Sequence, residues 1–105
     1  MRVAKLCRSL KSDDAATRVV ARQLMRSGTS IGANVEEAQA GHSRADFAAK
    51  YSIACKEARE THYWLRLLTE TDIVPESQTA GLLSECSELI AILTTIVRKV
   101  KQPLL

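Results

Sequence analysis

Apolar positions recur along the chain at steps of three and four, and the pattern breaks only at a few polar, Gly or Pro clusters, so helices account for nearly all of it. Val3, Leu6, Cys7 and Leu10 alternate with Arg2, Lys5, Arg8 and Lys11, which predicts a short amphipathic helix over about residues 2–11. Ser12, Asp13 and Asp14 then offer N-caps and dipole-favourable acids to a long second helix over about 14–40, which Gly41 ends. Its seam is Leu24, Gly28, Ile31, Val35 and Ala38. Ser43 to Asp46 spells S-x-x-D, a cap for a third helix over about 44–71, whose seam of Phe47, Tyr51, Ala54, Ala58, Thr61, Leu65 and Leu68 holds without a break. Asp72 to Pro75 is the turn that follows, and Pro75 suits the first position of a fourth helix over about 76–101. Leu83, Cys86, Ile90, Leu93, Val97 and Val100 are its seam, Arg98, Lys99 and Lys101 suit its C-terminus, and Pro103 ends the run. Connections this short join antiparallel neighbours, so the expectation is all-α: an up-down-up-down four-helix bundle, one domain over residues 1–105, with a short first helix.

Two features exceed what a simple bundle requires. The first is a polar stripe beside the second helix's seam, Gln23, Ser27, Ser30, Asn34, Glu37 and Gly41, whose groups need hydrogen-bond partners wherever they are buried. Of these, Gln23, Ser30, Asn34 and Glu37 are the candidates for a register-setting network or a site, with Ser30, Asn34 and Glu37 expected to be at least partly buried and bonded to neighbouring helices. Gly28 and Gly32, each about 1 kcal/mol worse than Ala inside a helix, imply a close approach by another backbone. The second feature is a stripe of Leu82, Leu89 and Ile96, one heptad apart and beside the fourth helix's seam. Together with a first helix little more than a third as long as its neighbours, it leaves apolar surface for a second copy of the chain to cover, and these three residues are the candidate oligomer interface.

Composition supports this picture. A chain of 105 residues, 46% hydrophobic but only 4% aromatic, has material for one small helical core. No uninterrupted apolar run reaches the 18 or so residues of a bilayer span, and the N-terminus lacks the apolar core of a signal peptide, so a cytoplasmic protein without a membrane partner is expected. Cys7, Cys55 and Cys86 are odd in number and far apart, which fits reduced core residues rather than disulfides or a zinc knuckle.

The net charge of +3 is unevenly spread. Residues 1–26 carry seven Lys or Arg against two Asp, residues 27–95 carry five against ten acids, and residues 96–105 add three more bases. Arg18, Arg22 and Arg26 lie four apart on one face, and a full bundle would bring Arg2 and Lys5 near Arg98, Lys99 and Lys101. These Arg and Lys residues are the candidates for contacts to RNA or DNA phosphates; the competing reading is an ordinary solvated face that serves solubility.

Candidate catalytic chemistry is thin. Di-iron bundles need Glu-x-x-His, whereas Gln39 precedes His42 and Arg59 precedes His62 at that spacing. Glu57, Glu60 and His62 do not converge on one face. With no phosphate loop, HExxH or nucleophile elbow, the expectation is a protein that is not an enzyme and needs neither metal nor cofactor.

The run RQLMRSGTSIGANVEEAQAG, then SRADFAAKYSIACKEARETHYWLRLL and IVPES, resembles the bacterial four-helix-bundle proteins encoded by intervening sequences in 23S ribosomal RNA genes. Its most specific part is the S-I-x-A-N-x-x-E core at Ser30, Ile31, Ala33, Asn34 and Glu37, with Gly41, Phe47 and Glu57 also matching. The resemblance implies a left-handed bundle assembled into a homopentamer, and it extends to the nucleic-acid-binding accessory protein of diversity-generating retroelements, which is similarly shaped. It implies no enzymatic activity. Two readings therefore stand, an oligomer that binds RNA or DNA and a purely structural or protein-binding scaffold.

Overall fold

The computed structural model describes residues 2–10, 14–41 and 43–102, and Lys11, Ser12, Asp13, His42 and Pro103, to which the sequence reading gave roles, lie outside them. The described residues form four helices: α1 (Arg2–Ser9), α2 (Ala15–Ala40), α3 (Arg44–Glu70) and α4 (Glu76–Lys101). Consecutive helices run antiparallel, as their cross-links show. Cys7 Sγ donates to Ala21 O, Ser27 meets Thr61, Gln39 meets Tyr51, Thr69 meets Thr79 and Arg44 reaches Val100 O.

The ends are set by local chemistry. Asp14 caps α2 by accepting from Thr17 N at 3.1 Å and Thr17 Oγ1 at 2.8 Å. Ser43 caps α3 by accepting from Asp46 N at 3.0 Å. The C-terminus of α3 closes as a Schellman turn, with Ile73 N donating to Leu68 O and Asp72 N to Thr69 O. Asp72 occupies the left-handed position at φ 59°, where Gly is commonest and Asp is tolerated. Pro75 stands one residue before α4, as its N-cap, rather than at its first position.

Two apolar clusters stack along the bundle's 54 Å length. In the first, Leu6 of α1 packs with Val20, Leu24, Leu65, Leu68, Leu82 and Cys86, and Val74 closes the end. The second, Ile31, Ala38, Tyr51, Ala54, Ala58 and Leu93, is built from α2, α3 and α4 alone. The cause is length. An eight-residue α1 spans about 12 Å, whereas α2 spans about 39 Å, so α1 covers only the first cluster.

Candidate functional site

Beyond the N-terminus of α1, the lane between α2 and α4 lies open. A cleft of about 370 Å³ runs there, lined by Val3, Gly28, Ile31, Gly32 and Val35 on one side and by Leu82, Glu85, Cys86 and Leu89 on the other, with Thr61 and Leu65 at its floor. A methyl group added at Gly28 would sit 2.7 Å from Val3 Cγ1, so this glycine is what lets α1 lie down on α2. The close neighbour at Gly28 is thus a side chain, not a second backbone. At Gly32 nothing lies within 4 Å: it faces open space.

The candidate interface divides along the same line. Leu82 is 8% exposed because it packs in the cluster that α1 covers, so it serves the protomer and not a partner. Leu89 and Ile96 are half-buried and flank the second cluster. Ile92, on the same helix, is 56% exposed. By length and composition α4 is apolar enough to cross a bilayer, and only 11% of its most apolar 18-residue window is buried within the protomer. An uncovered face of this kind calls for a cover.

The polar stripe meets the expectation in part: Ser30 and Asn34 are half-buried, and Glu37, though exposed, bonds to α3. Asn34 Nδ2 donates to Ser30 O at 2.8 Å and Ser30 Oγ at 3.2 Å, both within α2, and among the described residues neither side chain bonds to another helix. Glu37 is exposed and pairs with Lys50 at 2.6 Å. Gln23 Oε1 accepts from Arg26 Nε at 3.1 Å. The buried polar link between α2 and α3 is that of Ser27, fully buried against Thr61 at 2.9 Å, and Arg26 adds a partly exposed one. Arg26 clamps Glu57 at 3.0 Å and Glu60, and Trp64 Nε1 adds a bond to Glu60 at 3.1 Å. The hydrogen bond from Arg26, then that from Trp64, holds the Glu60 carboxyl below its ordinary range. Arg26 is therefore engaged in the fold rather than presented to a ligand.

The remaining cationic candidates separate. Arg18 and Arg22 are exposed near the start of α2, and Arg98, Lys99 and Lys101 lie at the end of α4. Because α2 and α4 run parallel, these groups occupy opposite ends of the bundle. Arg2 does not join Arg98 either: α1 stops short, and Arg2 pairs with Glu85, thirteen residues or about 20 Å before Arg98 along α4. A further basic group appears where the sequence reading had none. Arg59, His62 and Arg66 of α3 line a crevice of about 360 Å³ with Ser87 and Ile90 of α4. The i, i+3, i+7 spacing of the three was legible, but the net acidity of the middle of the chain masked it.

Burial raises the Cys86 thiol to about 11, and its Sγ donates to Ala58 O at 3.1 Å; burial also raises Cys7. All three cysteines are free. Among the described residues no three His, Cys, Asp or Glu side chains converge as metal ligands.

Comparison with known proteins agrees with this architecture. The profile of one family, described as 23S rRNA-intervening sequence protein, matches residues 1–95. A crystal structure of a protein of unknown function from the S23 ribosomal protein family of Bacteroides thetaiotaomicron superposes with a TM-score of 0.82 at 40% sequence identity, covering 91% of this chain and 88% of that one. No curated protein matches the sequence significantly.

Proposed function

The chain belongs to the 23S rRNA-intervening sequence protein family, and from that premise we propose that it is a self-assembling, non-enzymatic helical bundle of the cytoplasm whose basic surfaces engage RNA or DNA. The observation that carries the assembly is the open half of the α2/α4 lane, where Gly32, Val35 and Leu89 form an apolar trough continued by Ile96. A second copy suits this trough better than a bilayer does, because α4 carries Glu85 and Glu88 in mid-helix and packs Leu82, Cys86 and Leu93 into the protomer's own core. Assembly would also concentrate charge. Five protomers at +3 each carry +15, enough for weak individual contacts to add up to useful affinity for a polyanion.

The test is the mass in solution, with a homopentamer expected. A species of 11.6 kDa at micromolar concentration by light scattering would overturn the assembly. The nucleic-acid half is tested by salt: affinity for mixed-sequence RNA and duplex DNA should fall steeply with log[salt], by about 0.7 per phosphate neutralised on single strands and about 0.9 on B-DNA. The scaffold reading has its own support in the engagement of Arg26 by Glu57 and Glu60. Absence of binding at about 50 mM salt would favour it.

A further inference from the structure

The crevice between α3 and α4 brings together what a nucleic-acid strand needs. Arg59, His62 and Arg66 lie on one flank of α3, and the opposite wall is Ser87 and Ile90, so no acid lines it. The acids of the same stretch lie outside the crevice, Glu70 one turn beyond Arg66 on the same flank included. Glu57 and Glu60 are drawn to Arg26 on the α2 side, Glu85 pairs with Arg2 on the α1 side, and Glu88, though next to Ser87 in sequence, does not line the crevice. Among the described residues neither Arg59 nor Arg66 makes an ion pair. This places two guanidinium groups, neither held in an ion pair, beside a concave wall.

An aromatic ring completes the set. Tyr63 follows Arg59 by four residues and precedes Arg66 by three, which places the three on one side of α3, and its side chain is 48% exposed. The Arg66 guanidinium lies over the Tyr63 ring, 5.8 Å from its centroid, and Trp64 supports the ring from its edge at 4.9 Å between centroids. Cations that follow a backbone beside an exposed ring make up the arrangement by which single strands are held without sequence preference. A duplex is a poorer fit, since its bases are stacked inside and cannot reach the ring.

Resting on the reading that this protein engages nucleic acid, we propose that the α3/α4 crevice is the binding site for a single strand, with phosphates on Arg59 and Arg66, hydrogen bonds from His62 and Ser87, and a base stacked beside Tyr63. The end clusters, Arg18 with Arg22 and Arg98 with Lys99 and Lys101, are then secondary.

The test is fluorescence anisotropy with the full-length protein and labelled mixed-sequence 12-mers, as single-stranded RNA, single-stranded DNA and duplex DNA, at about 50 and 200 mM salt. Arg59→Glu with Arg66→Glu should weaken single-strand binding at least tenfold and reduce the salt slope by about 1.4, the share of two phosphates. The milder pair Arg59→Gln with Arg66→Gln should act in the same direction, and circular dichroism with light scattering establishes that fold and mass are kept. Tyr63→Ala should weaken binding to the base-bearing strands severalfold but leave binding of inorganic polyphosphate unchanged. Arg18→Glu with Arg22→Glu should weaken the single strands less than twofold. Wild-type binding that survives both Arg59/Arg66 pairs would overturn the site and leave the nucleic-acid reading standing; a wild type that binds none of the probes would overturn both.

Discussion

The lane between α2 and α4 is two surfaces in one molecule. In its first half α1 lies across the lane, Val3 sits on Gly28, and Leu6 joins Leu24, Leu65 and Leu82 in a closed cluster. In its second half the same two helices present Gly32, Val35, Leu89 and Ile96, and among the described residues α1 does not extend over them. The residue types are similar in both. What differs is whether the chain itself provides the cover, and on the proposed assembly this divides the residues that serve folding from those that a second copy would cover. A single helical stripe can change surroundings partway along, as Leu82, covered by α1, and the half-buried Leu89 and Ile96 do.

The sharpest way to break this comparison is to place the same charge in each half. Leu82→Asp should unfold the protomer, because removing a buried Leu side chain alone costs about 2–5 kcal/mol and an unpaired carboxylate in the core adds to that. Leu89→Asp should leave the helices intact and dissociate the oligomer, since its carboxylate reaches solvent in the monomer and is buried only against a partner. Far-UV circular dichroism and light scattering on the pair read fold and mass separately. If Leu89→Asp also unfolds the chain, or leaves the mass unchanged, the open half is not an interface.

The glycines give a smaller contrast of opposite sign. At Gly28 an added methyl meets the stiff Val3 side chain, so Gly28→Ala should destabilise by about 1–2 kcal/mol after the helix-propensity gain is offset, with α1 loosening first. At Gly32 the space is open, so in the Leu89→Asp background Gly32→Ala should stabilise the monomer by up to about 1 kcal/mol. In the wild-type oligomer the same substitution should weaken assembly if a partner helix packs close there. Thermal melts at two protein concentrations separate the two effects, and equal stabilisation in both backgrounds would mean that nothing approaches Gly32.

These contrasts show what the sequence could and could not convey. The helices were legible because periodicity and caps act locally: S-x-x-D capped α3 through Ser43, and Asp14 capped α2. The open lane was legible in part, since α1 is visibly short and the heptad stripe on α4 is visible too. Which member of the stripe α1 would cover was not, because that depends on where along α2 the short helix settles, and Gly28 sets that position through Val3. The polar stripe was legible only in part, for a related reason. Helical spacing aligns Ser27, Ser30 and Asn34 on one side, but only Ser27 faces a hydroxyl on α3; Asn34 turns back to its own helix. Charge summed along the chain concealed the α3/α4 crevice, because Glu57 and Glu60 of the acidic stretch turn to Arg26 on the α2 side while Arg59 and Arg66 line the crevice.

The polar residues repeat the comparison at about 1 kcal/mol. Ser27→Ala removes the buried bond to Thr61 and should cost about 1 kcal/mol in any assembly state, since Thr61 keeps its bond to Glu57 O. Asn34→Leu removes only bonds within α2 and should be near neutral for the protomer. Its effect belongs to assembly: a mixture of masses by light scattering would identify Asn34 as a register device, and a single unchanged mass would remove it from that role.

The smallest expected effect is an acid dependence that should ignore the division altogether. The Glu60 carboxyl is held below its ordinary value of 4.5, first by the hydrogen bond from Arg26 and then by that from Trp64. A carboxylate with a depressed pKa in the folded state adds stability that is fully present above the unfolded-state value and is lost as pH falls through the folded-state value. Arg26 stays protonated throughout this window. The melting-temperature difference between wild type and Arg26→Gln should therefore be constant above about pH 5 and shrink below about pH 4.5. It should be small, because the two side chains are 47% and 29% exposed and solvent screens the pair, and added salt should shrink it further. The clamp bridges α2 and α3, away from the lane, so the same pH profile should appear in the Leu89→Asp monomer as in the oligomer. A profile that vanished in the monomer would mean that the Arg26 side of the bundle, and not only the open lane, is shaped by contact with a second copy.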